Sequence, residues 1–254
     1  MTYCLAINVN DGLVLCSDSR TNAGADNVSV YSKMHSFSWP GVRFFALLSA
    51  GNLATTQAVL KKLNGDIPGG LAPNLSTVAT MQEAADYVGM ISAQVQKLHA
   101  SRDTAATNFE ASFILAGQIV GQAPEIFMIY PQGNYIHESQ EHPFLQIGEF
   151  KYGKPILDRV IKREVGLERA ARCALVSMNS TICSNVTVGP PGRTADLQAR
   201  CLRRRSPPVL PRRRSLRAPA FGKVERGPVD GSGKPAALRL GKLGATPDSG
   251  APSP

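Results

Sequence analysis

The stretch that decides the fold is the first twenty residues, Met1-Thr2-Tyr3-Cys4-Leu5-Ala6-Ile7-Asn8-Val9-Asn10-Asp11-Gly12-Leu13-Val14-Leu15-Cys16-Ser17-Asp18-Ser19-Arg20. Two apolar runs rich in Val, Ile and Leu flank Asp11-Gly12, and an Asp-Gly pair between such runs is the strongest short-range sign of a β-hairpin. The sequence therefore predicts two antiparallel strands, and the chain begins inside a sheet.

The second residue carries a hydroxyl group, which could act in catalysis at the start of the first strand. The small side chain of Thr2 permits removal of Met1, which would leave an α-amine and a β-hydroxyl on one residue. A Thr hydroxyl becomes nucleophilic when a base takes its proton, and an N-terminal amine with an ordinary pKa of about 7.7–8.0 can be that base. Thr2 alone does not establish such chemistry, since many proteins carry Thr at this position.

A carboxylate and a lysine follow at positions that can meet this N-terminus. Asp18 ends the second predicted strand, and Lys33 begins the third, so both can reach the end of the first strand. The positive charge of Lys33 would disfavour protonation of the Thr2 amine, and Asp18 would hold Lys33 in place. The alternative interpretation of Asp18 and Lys33 is a surface ion pair.

Three stretches resemble the proteasome-type N-terminal-nucleophile hydrolases, and within them the bacterial proteasome-like peptidases. They are Ser-Asp-Ser-Arg-Thr-Asn-Ala-Gly at 17–24, Leu-Leu-Ser-Ala-Gly-Asn-Leu-Ala-Thr-Thr-Gln at 47–57, and residues 144–159. The resemblance covers residues 1–191. It implies that Thr2 is the nucleophile and that Asp18 and Lys33 are its catalytic partners.

The resemblance also implies the remaining site residues. Gly51 would belong to the oxyanion hole, with Thr21 and Asn22 beside the substrate, and Ser184 would be the supporting serine beneath the nucleophile.

Two positions near Ser184 depart from the pattern of the family. Asn179 stands where an acidic residue is usual, and Cys183 stands where an arginine is usual. Because Asn carries no charge, this departure predicts weaker electrostatics around the site.

The order of elements predicts an α+β fold. Apolar patterns predict further strands over 33–39, 43–50, 109–119, 125–131 and 134–138, and helices over 53–62, 81–98, 154–162 and 167–177. Strands, two helices, strands and two helices fit two packed antiparallel sheets with helix pairs outside. The family resemblance implies the four-layer α/β/β/α sandwich.

The charge divides the chain into a peptidase domain, 1–191, and a tail, 192–254. The net charge of +9 splits into −1 for residues 1–191, with 14 Lys and Arg against 15 Asp and Glu, and +10 for residues 192–254, with 14 against 4. Phe221 is the tail's single aromatic residue. Such a composition predicts disorder.

The resemblance stops where relatives continue with an apolar final strand. A reading-frame shift would explain this change and predicts that the final strand is missing. The alternative is a native basic tail that binds nucleic acid, although one aromatic side chain offers little surface for stacking bases.

The expected function is that of a threonine-type peptidase subunit acting on peptides or unfolded proteins, in a homo-oligomer implied by the family. Two alternatives stay open: a catalytically inactive assembly or interaction protein with the same fold, and an N-terminal-nucleophile amidase acting on small amides.

The expected compartment is the cytoplasm, because no apolar run approaches the length of a membrane span and residues 1–15 lack a signal-peptide pattern. Without a Cys-x-x-Cys pair, the five cysteines predict reduced structural thiols rather than metal ligands. We expect neither a metal nor a cofactor.

Overall fold

The computed structural model of the chain describes residues 1–22, 28–70, 72–102, 107–189 and 198–203; the side chains of Asn22, Val28 and residues 198–203 are not described. All of these residues lie in the first of the chain's two units, Met1–Arg217, and not in the second, Ala218–Pro254.

The described residues form eleven strands and four helices. The strands are β1 (Tyr3–Val9), β2 (Gly12–Ser17), β3 (Arg20–Asn22), β4 (Val28–Val30), β5 (Met34–Trp39), β6 (Arg43–Gly51), β7 (Ala111–Ile119), β8 (Glu125–Ile129), β9 (Tyr135–His137), β10 (Phe144–Gly148) and β11 (Gln198–Arg203). The helices are α1 (Leu53–Asp66), α2 (Met81–Ala100), α3 (Lys154–Val160) and α4 (Leu167–Ser184).

Two antiparallel sheets contain nearly all of these strands. The N-terminal sheet has the strand order β10-β1-β2-β11, and the central sheet has the order β5-β6-β7-β8-β9. β3 and β4 form a separate two-stranded sheet. The β1–β2 hairpin has the register Val9↔Gly12, so its loop is Asn10-Asp11, one residue before the expected Asp-Gly pair.

Three apolar cores lie between the layers: one between the two sheets, and one between each sheet and its pair of helices. Alternate residues of β1 and β2, among them Leu5 and Val14, pack with residues of α3 and α4, whereas their neighbours Ala6 and Leu15 pack against the central sheet. The other face of the central sheet packs on α1 and α2. Because both faces of β1 and β2 are covered, these strands are continuous apolar runs. The expected α+β fold with four layers is confirmed.

A buried polar contact joins the two sheets at the hairpin end of β1. Asn8 donates from Nδ2 to Glu138 Oε1 at 2.5 Å and to Pro124 O at 2.8 Å. Arg163 donates from Nη2 to the same Glu138 oxygen at 3.1 Å. This contact fixes the end of β1 that lies far from Thr2.

The structure differs from the sequence-based expectations at three places. Helix α1 continues through Gly65 to Asp66 instead of stopping near residue 62. β10 was not predicted from its residue pattern, and neither was the pairing of β3 with β4. The tail was predicted to be disordered, with the final strand missing, whereas its residues 198–203 form β11, which pairs with β2 from Ser17↔Gln198 to Gly12↔Arg203.

The rest of the tail predicted to be disordered, residues 192–197 and 204–254, lies outside the described residues. In the described part of the chain, no helix is long and apolar enough to cross a membrane.

Candidate active site

A buried ion pair joins the two sheets at the end where the chain begins. Lys33 Nζ lies 2.8 Å from Asp18 Oδ1 and 3.0 Å from Asp18 Oδ2. The exposed fraction is 8% for the Lys33 side chain and 0% for that of Asp18. Asp18 directly follows β2, and Lys33 directly precedes β5, so each sheet contributes one member. The alternative interpretation as a surface ion pair is therefore wrong.

The Asp18 carboxylate also receives two backbone N–H groups. Tyr3 donates to Oδ1 at 3.0 Å, and Gly189 donates to Oδ2 at 3.2 Å. The register would pair Tyr3 with Asp18, and the Asp18 N–H does donate to Tyr3 O at 3.1 Å. The Tyr3 N–H thus bonds to the side chain of Asp18, which fixes the carboxylate to the strand that begins beside Thr2.

Thr2 directly precedes Tyr3, whose N–H donates to this carboxylate, and Thr2 is 8% exposed. Its carbonyl oxygen accepts a hydrogen bond from Glu149 N at 2.7 Å, which extends the pairing of β1 with β10. Met1 precedes it and is 65% exposed. Burial, followed by the charge of Lys33, lowers the pKa of the Met1 α-amine below its ordinary value, while Asp18 and Glu149 oppose that shift.

Glu149 and Asn185 were not anticipated from the sequence as parts of this site. Glu149 accepts from the backbone N–H groups of Phe150 and Lys151 on Oε1, at 2.9 and 2.8 Å, and from Asn185 Nδ2 on Oε2, at 2.7 Å. These hydrogen bonds, the one from Lys151 first, lower the pKa of the Glu149 carboxyl. Glu149 therefore connects the end of α4 to the backbone of Thr2.

Gly51 ends β6 close to the ion pair, because Ser49 of that strand donates its N–H to Lys33 O at 2.9 Å. Its φ of +111° is strained for any residue with a side chain, and a Cβ here would lie 2.3 Å from Glu110 O. Asn52 then begins α1 by accepting from Thr55 N. The strand-to-helix passage expected at Gly51 is present.

The remaining predicted residues lie around this centre. Thr21 is half-buried in β3, opposite Ser29. Only the backbone of Asn22 is described, in the same strand. Ser184 is the last residue of α4 and is exposed; within the described residues, no hydrogen bond joins it to Thr2, Asp18 or Lys33. Its supporting role stays a prediction.

Asn179 and Cys183, the two departures from the family pattern, lie one helical turn apart on α4, with Cys183 Sγ 4.0 Å from Asn179 Oδ1. No disulfide joins Cys4, Cys16, Cys173 or Cys183 within the part of the chain that the structure describes. Over the described ranges, no group of His, Cys, Asp and Glu could hold a metal ion.

The four-layer sandwich, with Thr2 at the start of a buried strand and Asp18 with Lys33 beside it, defines the class of proteasome-type N-terminal-nucleophile hydrolases. Solved structures agree. The chain is 44% identical to Anbu (ancestral beta-subunit) from Yersinia bercovieri, with a TM-score of 0.72 over 79% of this chain and 81% of that one. It belongs to the Anbu family.

Two further structures of that family are similar. The helical assembly of the Anbu complex from Pseudomonas aeruginosa gives 42% identity and a TM-score of 0.74, over 79% of this chain and 81% of that one. The Anbu (Gly-1) mutant from Hyphomicrobium sp. strain MC1 gives 40% identity and a TM-score of 0.73, over 80% and 82%. No protein-family model and no curated protein matches the sequence.

Proposed function

We propose that the chain is a threonine-type peptidase subunit that hydrolyses peptide bonds through Thr2 after removal of Met1. The observation that carries this proposal is the buried Asp18–Lys33 pair. Its carboxylate accepts the N–H of Tyr3, the residue next to Thr2. Taking a lysine and a carboxylate out of water costs free energy. A function for the Lys33 charge beside a reactive N-terminus would explain why this pair is buried despite the cost.

The reaction is an acyl transfer in two steps. Thr2 Oγ1 attacks the carbonyl carbon of the scissile bond while the Thr2 α-amine takes the hydroxyl proton. The C–N bond then breaks, and the proton passes to the leaving amine, which leaves an ester on Thr2. Water attacks this ester, the α-amine again relays the proton, and the carboxylic acid product departs. Backbone N–H groups near Gly51 would stabilise the negative oxygen of each intermediate.

Lys33 keeps the base unprotonated in this scheme. Burial, and after it the charge of Lys33, lowers the pKa of the amine in the chain that retains Met1. The α-amine of Thr2, set free by removal of Met1, would experience the same positive charge. A larger share of it would then be neutral near pH 7.

The decisive experiment substitutes the nucleophile. Thr2→Ala deletes the Oγ1 hydroxyl and one methyl group from a residue that is 8% exposed, so the fold should persist while hydrolysis of fluorogenic peptides is abolished. Intact mass is measured for both proteins, because the mechanism needs Met1 removed. Undiminished hydrolysis by Thr2→Ala would end the proposal.

The same measurements discriminate the alternatives. A folded protein that retains Met1 and cleaves nothing would be an inactive assembly or interaction protein. Cleavage of small amides without cleavage of peptides would indicate an amidase.

We propose in addition that the subunit acts as a homo-oligomer, on peptides or unfolded proteins. The support is the helical assembly described for the relative from Pseudomonas aeruginosa. Static light scattering at micromolar concentration should therefore give a mass well above the 27.1 kDa of one chain. A monomer under these conditions would contradict this part of the proposal.

A further inference from the structure

The hydroxyl group of Tyr3 lies in a closed polar pocket beneath the candidate active site. Tyr3 is 0% exposed, and its hydroxyl oxygen lies 2.7 Å from Ser177 Oγ and 2.6 Å from Gln146 Nε2. Ser177 Oγ donates its single proton to Gly153 O at 3.0 Å. The Tyr3 hydroxyl therefore donates to Ser177 and accepts from Gln146, so its hydrogen-bonding capacity is used in both directions.

The pocket fits this hydroxyl closely. A Cβ added to Gly153 would lie 2.2 Å from the Tyr3 hydroxyl oxygen and 2.6 Å from Ser177 Oγ. Only glycine at the start of α3 leaves room for the contact. The side chain of Tyr3 is thus held by three elements: β10 through Gln146, α4 through Ser177 and the N-terminus of α3 through Gly153.

The backbone of the same residue holds the candidate catalytic carboxylate. Tyr3 N–H donates to Asp18 Oδ1, and Tyr3 O accepts from Asp18 N. Successive side chains of a strand point to opposite faces. Tyr3 packs in the core that includes α3 and α4, so alternation directs Thr2 toward the other face, where the central sheet and Lys33 lie.

We propose that Tyr3 is a positioning residue for the nucleophile. Its hydroxyl prevents the end of β1 from turning about the strand axis, and so keeps Thr2 directed at Lys33 and Asp18. This inference rests on the proposed function, and it adds a residue that contacts neither the substrate nor the reacting atoms. Losing such a constraint lowers the fraction of bound substrate in reactive geometry and leaves the substrate's own contacts intact.

The test is Tyr3→Phe, which deletes the hydroxyl and keeps the ring. A matched control is Tyr87→Phe: Tyr87 is 3% exposed, and its hydroxyl donates to Asp66 Oδ2 at 2.6 Å in the core between α1 and α2. Both full-length variants, the wild type and Thr2→Ala are assayed on one fluorogenic peptide. Intact mass confirms removal of Met1 in each, and thermal melting confirms the fold.

We expect Tyr3→Phe to lower kcat about tenfold with KM changed by less than about twofold, because the loss concerns geometry at the reacting atoms. Tyr87→Phe should keep both constants near those of the wild type. If Tyr3→Phe does not fold, Ser177→Ala replaces it and should lower kcat in the same way by a smaller factor, since Gln146 still holds the hydroxyl.

Two results would overturn the inference while the proposed function stands: a kcat for Tyr3→Phe equal to that of the wild type, or equal losses in Tyr3→Phe and Tyr87→Phe, which would indicate general loosening. A rise in KM at constant kcat counts as the first of these results. Hydrolysis that survives Thr2→Ala would refute the proposed function, and the role of Tyr3 with it. The Thr2→Ala measurement therefore distinguishes the two failures.

Discussion

At the scale of single residues, Asp18 is a charged side chain with an exposed fraction of 0%. Its carboxylate accepts from the backbone N–H groups of Tyr3 and Gly189, and both of its oxygens accept from the Lys33 ammonium group. A carboxylate so placed has its charge compensated and its lone pairs occupied, which is the condition for a buried ion to be tolerated. Removing either charge leaves the other buried without compensation.

Asp18→Asn should therefore lower the free energy of unfolding by about 3–5 kcal/mol, the usual cost of leaving one member of a buried pair alone. Asp18→Asn combined with Lys33→Met should recover part of that loss, because no uncompensated charge remains. Urea unfolding of the two single variants and the double variant measures this coupling.

Asp158→Asn is the control for that cycle. Its ion pair with Lys154 is solvent-exposed, at 35% and 48% of the side chains, and should contribute no more than about 0.5 kcal/mol. An Asp18→Asn protein as stable as Asp158→Asn would show that leaving Lys33 buried without its carboxylate does not lower the free energy of unfolding.

The N-terminal amine gives a pH prediction at the same scale. Its pKa is lowered by burial first and by Lys33 second, so the amine loses its proton below its ordinary pH range. In the chain that retains Met1, the rate of amine acetylation should rise with pH through a midpoint below 8.0. Lys33→Met should move this midpoint upward, because one of the two causes is removed.

Lys154→Met provides the comparison for the amine titration, since Lys154 is exposed and paired with Asp158. It should leave the midpoint unchanged. Equal midpoints in wild type and Lys33→Met would exclude an effect of the Lys33 charge on the amine.

At the scale of elements, the sequence predicted the strands and helices that have strong patterns. β1, β2 and β6 are apolar runs buried on both faces. The helical spacing predicted a buried face of α2 from Met81, Ala84, Val88, Ile91, Val95 and Leu98; all but Leu98, which is 47% exposed, are buried. β10 escaped prediction because Phe144–Gly148 has five residues and an interior Gln. β11 escaped because Gln-Ala-Arg-Cys-Leu-Arg has the composition of a basic loop.

The candidate site could be predicted only where a motif or a spacing marked it. Asp18 lies within the stretch 17–24, Lys33 stands at the start of a predicted strand, and the structure brings them together. Tyr3, Gln146 and Ser177 are 31 residues or more apart along the chain, as the separations of 143 and 174 from Tyr3 show. Their contact depends on the packing of β1 with β10 and α4, for which one sequence holds no local signal.

The turn from β6 into α1 permits a test with two glycines. Gly51→Ala forces a Cβ to within 2.3 Å of Glu110 O at a φ of +111°, so it should destabilise the protein by at least about 1 kcal/mol and reduce any hydrolysis. Gly65→Ala places its Cβ in open space within α1 and should stabilise by about 0.5–1 kcal/mol. Thermal melting compares them, and equal effects would contradict the argument.

At the scale of the whole molecule, the described contacts of the candidate site all come from residues up to Gly189. That residue supplies the last N–H to Asp18, and Arg20 Nη1 donates to Val186 O just before it. The change in sequence character follows immediately afterwards. A frame shift or a native tail would therefore alter the edge of the N-terminal sheet rather than the Asp18–Lys33 pair.

Two truncations test the contribution of β11 separately from that of the residues after it. A chain ending after Arg203 keeps β11 on β2, and we expect its melting temperature to match that of the full chain. A chain ending after Gly189 exposes the backbone N–H and C=O groups of β2, which can template aggregation. It should melt at lower temperature and form large particles in light scattering. Identical behaviour of the two truncations would show that β11 contributes nothing to the sheet.

The outer position of β11 means that this strand could be supplied as a separate molecule. It joins the sheet through β2 alone and lies at the end of the strand order. A synthetic peptide of suitable alternating sequence could occupy the same edge of a shortened chain by strand addition, with main-chain hydrogen bonds giving affinity and alternate side chains giving selectivity. The free edge of β2 would then be the binding site for the peptide, and complementation in trans would restore the sheet with the sequence of residues 1–189 unchanged.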